Sequence, residues 1–170
     1  MTDTQTPEDR DAAIRASVTL VNLDRELEAV AFHEAGHSAV CHHLGGYGYI
    51  SIWPNESGHN DEKSWLGQFV TVSRPRTPKR WRVLIGLAGL VAEYMLRNPT
   101  TEAREPRDCA MEISDLIFMG GASESDLELI GPRWSQRDVA RVLQILGICW
   151  QSVEFEAALR IHLAQDAAKV

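Results

Sequence analysis

Residues 33–37 read His33-Glu34-Ala35-Gly36-His37, and no other stretch constrains the chain as strongly. On an α-helix, positions i and i+4 share a face one turn apart. Two imidazoles so placed can turn their nitrogens toward one ion, and the pattern suits zinc. Glu34 is rotated from His33 by about 100°. Its carboxylate therefore lies beside the ion, not on it, where it can take a proton from an activated water. The flanking sequence supports a helix whose His37 points inward. Leu23, Leu27, Val30, His37, Cys41 and Leu44 fall on one stripe. An imidazole in an apolar stripe needs a polar partner. Gly36 costs about 1 kcal/mol against Ala inside a helix, so a neighbour is expected to pack closely against it.

The length of 170 residues suits one domain spanning 1–170, with residues 1–6 expected to be disordered. Hydrophobic residues make up 44% and charged residues 24%, ordinary for a globular protein with its own core. The net charge of −7 disfavours nucleic acid or an anionic membrane as principal partner. Cys41, Cys109 and Cys149 are scattered, with no Cys-x-x-Cys, and read as reduced thiols of a cytoplasmic protein. The polar, acidic N-terminus does not read as a signal peptide. The longest apolar run, Val83 to Ala92, stops at Glu93 and is too short to span a bilayer.

Thr6-Pro7-Glu8-Asp9 predicts a short helix to about Ala16. The β-branched stretch Ser17 to Val21 is expected to break it. Asn22 or Asp24 would then cap the metal helix, which ends at Gly45-Gly46. Tyr47 to Trp53 alternates and is closed by Pro54, and Leu66 to Ser73 alternates again. These predict two antiparallel strands around a polar loop, Asn55 to Ser64. Such a small sheet has open edges, which an extended peptide can join as an added strand. Arg74 to Arg82 holds five basic residues, read as a solvated loop and first helical turn. Thr77-Pro78 predicts a helix to about Arg97, apolar nearly all round and so central. Gly86 and Gly89 allow close packing on it. Asn98 to Arg104 is read as a loop. Further helices are predicted from Pro106 to Met119, from Ser123 to the stop at Gly131-Pro132, and from a Ser135–Asp138 cap onward. The last 35 residues fit one long helix or two joined near Cys149 to Gln151.

A catalytic zinc usually has three protein ligands and one open position. Cys41 continues the i, i+4 series, but lies about 12 Å along the helix axis from His33, too far to share the ion. His42, His43, His59 and His162 have no supporting motif and read as surface or packing residues. The downstream carboxylates Glu93 and Asp126 remain as candidates for the third ligand.

The run from Ala31 to Val40 resembles the metal helix of the FtsH-type ATP-dependent zinc proteases, which share the His-Glu-Ala-Gly-His core. Tyr49-Ile-Ser-Ile-Trp-Pro54 is similar to that family's first strand, and Leu66-Gly67 to the start of its next segment. Leu87-Ala-Gly-Leu-Val-Ala-Glu93 is similar to its Gly-Gly-Arg-Ala-Ala-Glu-Glu helix. Gly121-Ala-Ser-Glu-Ser-Asp126-Leu127-Glu128 resembles its Gly-Ala-x-Asn-Asp-Leu segment, with one more residue than the family's spacing. The resemblance covers roughly residues 25–130. It implies zinc held by His33, His37 and Asp126, with Glu34 as catalytic base. Glu93 then has a supporting place, holding a ligand histidine by its free ring N–H. The chain carries no Gly-x-x-x-x-Gly-Lys-[Ser/Thr] loop and hence no ATPase of its own.

The expected fold is α+β, mainly helical, with a small antiparallel sheet beside the zinc helix. The expected function is a zinc-dependent metalloendopeptidase acting on peptides or unfolded proteins, working alone, by self-association or with a separate ATPase. The alternative is a catalytically silent zinc-binding regulatory or interaction module. A purely structural zinc site, however, has no use for Glu34 between its ligands.

Overall fold

In the computed structural model, residues 7–56, 64–75, 79–101 and 104–168 are described, with backbone alone for 7–21. The predicted disorder of residues 1–6, the cap at Thr6, the middle of the 55–64 loop with His59, Thr77-Pro78, and residues 102–103 of the 98–104 loop lie outside the described residues. The α+β reading holds. Among the described residues there are five helices and one antiparallel pair of strands, which packs against the first and last helices.

The first helix, α1, runs without interruption from Pro7 to His43, about 55 Å at the standard rise. The break expected at Ser17 to Val21 does not occur, and Asn22 and Asp24 are exposed mid-helix residues rather than caps. β-branched residues cost only a few tenths of a kcal/mol each relative to straight-chain ones. A helix already nucleated on both sides extends through such a stretch more readily than it ends there. Gly45, at φ 80°, turns the chain out of the helix.

Strands β1 (Tyr47–Pro54) and β2 (Trp65–Ser73) pair antiparallel, with Ile50 opposite Phe69 and Ile52 opposite Gly67. Alternation puts Gly48, Ile50 and Ile52 on the face toward the helices and Tyr47, Tyr49 and Trp53 outward. Helix α2 (Trp81–Arg97) starts later than the sequence suggested, after a turn at Lys79-Arg80. Arg80, from the basic cluster, bonds the Arg133 carbonyl and the Asp138 carboxylate (2.9 Å to Asp138). That cation therefore ties α2 to the start of the last helix. Every residue from Leu84 to Ala92 is buried, as an all-round apolar helix demands.

Pro106 opens α3 (Pro106–Phe118), and Gly120 at φ 84° follows its end. Ser123 caps α4 (Glu124–Ile130) by accepting the Asp126 N–H at 3.1 Å, and Gly131 at φ 61° stops it. Ser135 and Asp138 form a capping box for α5 (Gln136–Ala167), which is one continuous helix. By length and apolar content α5 reaches the size of a bilayer span. Val139, Val142, Leu146, Val153 and Ala157 along it are nevertheless buried in the protein core.

The pivot of the packing is the crossing of α1 and α2. A Cβ on Gly36 would lie 2.6 Å from the Ala92 methyl and 2.7 Å from the Ala88 carbonyl oxygen. The expected close neighbour of Gly36 is thus the backbone of α2. In an exposed helix Gly→Ala stabilises by about 1 kcal/mol. Here overpacking should reverse the sign. We expect Gly36→Ala to lower stability by about 1–3 kcal/mol in denaturant unfolding. Stabilisation by this substitution would overturn the α1–α2 contact.

Candidate metal centre

α1 presents His33, Glu34 and His37 toward α2, β2 and α4. The i, i+4 spacing aligns the two rings, whose centroids are 4.7 Å apart and nearly perpendicular. Each ring is fixed through Nδ1. His33 Nδ1–H donates to Glu93 Oε1 at 2.8 Å, and His37 Nδ1–H donates to the Ile85 carbonyl at 2.6 Å. Carboxylates and carbonyls only accept, so a neutral imidazole in either place keeps its lone pair on Nε2. The Phe69 ring lies near-parallel to His37, with centroids 6.3 Å apart.

The two Nε2 atoms meet the Asp126 carboxylate. His33 Nε2 is 3.1 Å from Oδ2, and His37 Nε2 is 3.1 Å from Oδ1. One ligand atom from each residue lies within 4.8 Å of the others. Bare nitrogens facing a carboxylate repel it unless a proton or a cation lies among them. With His33 neutral and protonated on Nδ1, Asp126 Oδ2 is buried without a hydrogen bond, a condition that costs about 1–3 kcal/mol, more for a charged group.

The space for a cation is protected by a glycine. A Cβ on Gly89 would fall 2.4 Å from His33 Nε2 and 2.6 Å from His37 Nε2. Any side chain there would enter the volume between the donors. Gly86, one turn earlier on α2, lets α4 approach; a Cβ on it would sit 3.1 Å from the Asp126 carbonyl and closer to Leu129 and Ile130. Two imidazoles and a carboxylate with Nδ1 partners outside them form a candidate metal-binding triad whose donor atoms could hold one ion, and the Gly89 gap leaves room for it.

Glu34 lies beside this triad and is buried. The β2 backbone passes close to it: a Cβ on Gly67 would lie 2.8 Å from Glu34 Oε1. Burial pushes the Glu34 carboxyl up from its ordinary value. His37 and His33 oppose that rise, as does the backbone N–H of Phe69. In the metal-free chain, burial lowers the His33 pKa, but the Asp126 and Glu93 carboxylates outweigh it and push it up to about 10. Burial likewise raises the Asp126 carboxyl, and the two histidines reverse this to hold it well below the usual carboxylate range.

Asp126, not Glu93, faces both Nε2 atoms, while Glu93 holds the far side of His33. Cys41 is fully buried and outside the triad. His42 and His43 are exposed, and His162 is exposed beside Asp166 at 3.4 Å. Sequence reasoning missed the Ile85 carbonyl, because a backbone acceptor leaves no mark in a sequence. It saw Gly89 as a packing residue without seeing that imidazoles are what it packs against. No protein-family model matches the chain, and no curated protein matches it.

Two expectations follow from the geometry. If the triad holds a divalent cation, Gly89→Ala should weaken its binding by about 10–100-fold, the range for disturbed support of a metal ligand. Competition against a chromogenic chelator measures this, and unchanged affinity would remove the ion from between the two Nε2 atoms. In the metal-free chain the folded His33 pKa lies above its unfolded value of about 6.5. Its stabilising contribution is then complete below about pH 6.5 and is lost as pH rises toward 10. The His33→Gln variant should therefore lack this part of the alkaline stability loss in chelator-treated samples.

Proposed function

We propose that this chain is a zinc-dependent endopeptidase acting on peptides or unfolded protein. The observation that carries the reading is the convergence of His33 Nε2, His37 Nε2 and Asp126, with Glu34 alongside. Two imidazoles plus one carboxylate suit zinc with a fourth position left open. Zinc supplies Lewis acidity when bound, polarising a carbonyl and lowering the pKa of water toward about 7.

The chain's own residues carry out the rest. His33 and His37 are held with Nε2 forward by Glu93 and Ile85, so no reorientation is needed on metal entry. Glu34 accepts the proton of the attacking water and returns it to the leaving amine. Its raised carboxyl pKa brings it nearer the working pH, as a proton shuttle needs. Among the described residues β2 pairs with β1 alone, along one edge. An extended peptide added along Phe69 to Val72 would run beside Glu34, with main-chain hydrogen bonds aligning its scissile bond.

The likeness of residues 31–40 and 121–128 to the FtsH-type peptidases supports the same assignment. This sequence holds no phosphate-loop motif, so the substrates proposed for this centre are peptides or protein that is already unfolded. The free state of Cys41, Cys109 and Cys149 accords with a reducing, cytoplasmic setting.

Glu34→Gln separates binding from turnover. Zinc content should stay at one equivalent while casein hydrolysis falls at least about 10²-fold, the lower end for removing a general base. Hydrolysis at the wild-type rate would remove Glu34 from the chemistry. Zinc retention by a wild-type protein that cleaves neither casein nor peptides would leave only a binding module.

A further inference from the structure

A cleft of about 470 Å³ opens between α2 and α3, within the roughly 300–1,000 Å³ range of small-ligand sites. Its walls are two helical faces with the same spacing. Leu90, Glu93, Tyr94 and Arg97 come from α2; Glu112, Asp115 and Leu116 come from α3, and Met119 is the residue that ends it. It abuts the support of one metal-centre histidine through Glu93. Gly89 backs the two imidazoles while its neighbour Leu90 lines the cleft. Glu93 belongs to both, with Oε1 on His33 and Oε2 on Arg97 at 2.6 Å.

The chemistry of the walls selects an occupant. Leu90, Leu116, Met119 and the Tyr94 ring offer apolar surface. Of the three carboxylates, Glu93 is engaged by His33 and Arg97. Glu112 is engaged by Arg104 (Nη1 at 3.1 Å) and the Tyr94 hydroxyl. Asp115 has no ion-pair partner among the described residues, so the cleft carries one uncompensated negative charge beyond an apolar wall. We infer that the cleft receives a long aliphatic side chain ending in a cation, the lysine or arginine of a peptide whose scissile bond lies at the metal centre. The stem covers Leu116 and Met119, and the charged end reaches Asp115. This assignment rests on the peptidase reading and adds a substrate class to it.

Binding to the zinc-loaded full chain tests the cleft without turnover. The probes are N-acetyl-lysine, N-acetyl-norleucine and N-acetyl-glutamate hydroxamates, with acetohydroxamate reporting access to zinc alone. By calorimetry the lysine compound should bind about fivefold more tightly than its norleucine counterpart, the size of a part-exposed ion pair. The glutamate compound should bind most weakly. Asp115→Asn should level lysine with norleucine and leave acetohydroxamate unchanged. Leu116→Trp should weaken both long-chain compounds and again spare acetohydroxamate. Equal binding of lysine and norleucine compounds to the wild type, or a lysine preference that survives Asp115→Asn, overturns the assignment. Casein hydrolysis without hydroxamate discrimination sinks the cleft and keeps the peptidase. Discrimination without hydrolysis keeps the cleft as a ligand site and sinks the peptidase.

Discussion

The close approach of α1 to α2 is the constraint on which the rest depends. Gly36 lets the α2 backbone in at Ala88 and Ala92, and Gly89 faces the imidazoles one turn along. Three glycines inside helices, Gly36, Gly86 and Gly89, together forgo about 3 kcal/mol of helix propensity. That cost is offset by contacts no side chain would permit. The α2 backbone comes near enough for the Ile85 carbonyl to meet His37, Glu93 reaches His33, and α4 settles against Gly86 with Asp126 turned inward.

A polar centre in such a frame is stable only when its groups are matched. Outside the triad, both Nδ1 atoms have acceptors. Inside it, two nitrogens and two oxygens face one another at 3.1 Å. The arrangement is preorganised: the Glu93 carboxylate and the Ile85 carbonyl, each bonded to an Nδ1, leave the imidazoles little freedom to turn away. Glu34 stands at the margin of this cluster, where burial and the two histidines act on its carboxyl in opposite senses.

Most of the architecture was legible in the sequence because its signals are local. The alternation of Tyr47 to Trp53, the Ser135–Asp138 box and the glycine stop at 131 each depend on near neighbours alone. The continuity of α1 through residues 17–21 was misread because propensity was weighed over five residues, whereas helix persistence depends on the whole segment. The start of α2 was misplaced for a similar reason, since Arg80 at its head bonds Arg133 and Asp138 far along the chain. Within the site, the spacing of His33 and His37 was readable. The resemblance, not the spacing, singled out Asp126 over Glu93. The Ile85 carbonyl and the approach of Gly67 to Glu34 exist only in three dimensions, and no residue identity announces them.

Asp126 rides on a helix of only seven residues, set between glycines whose backbones take the left-handed side of φ. Two of its would-be co-ligands sit about ninety positions earlier, on the longest helix. A cation gripped by all three would therefore act as a reversible staple, closing a long loop whose entropy the unfolded chain otherwise keeps. α4 has few internal bonds of its own with which to resist detachment. The resistance of this small segment to opening, though not its place in the fold, would then grow with metal supply.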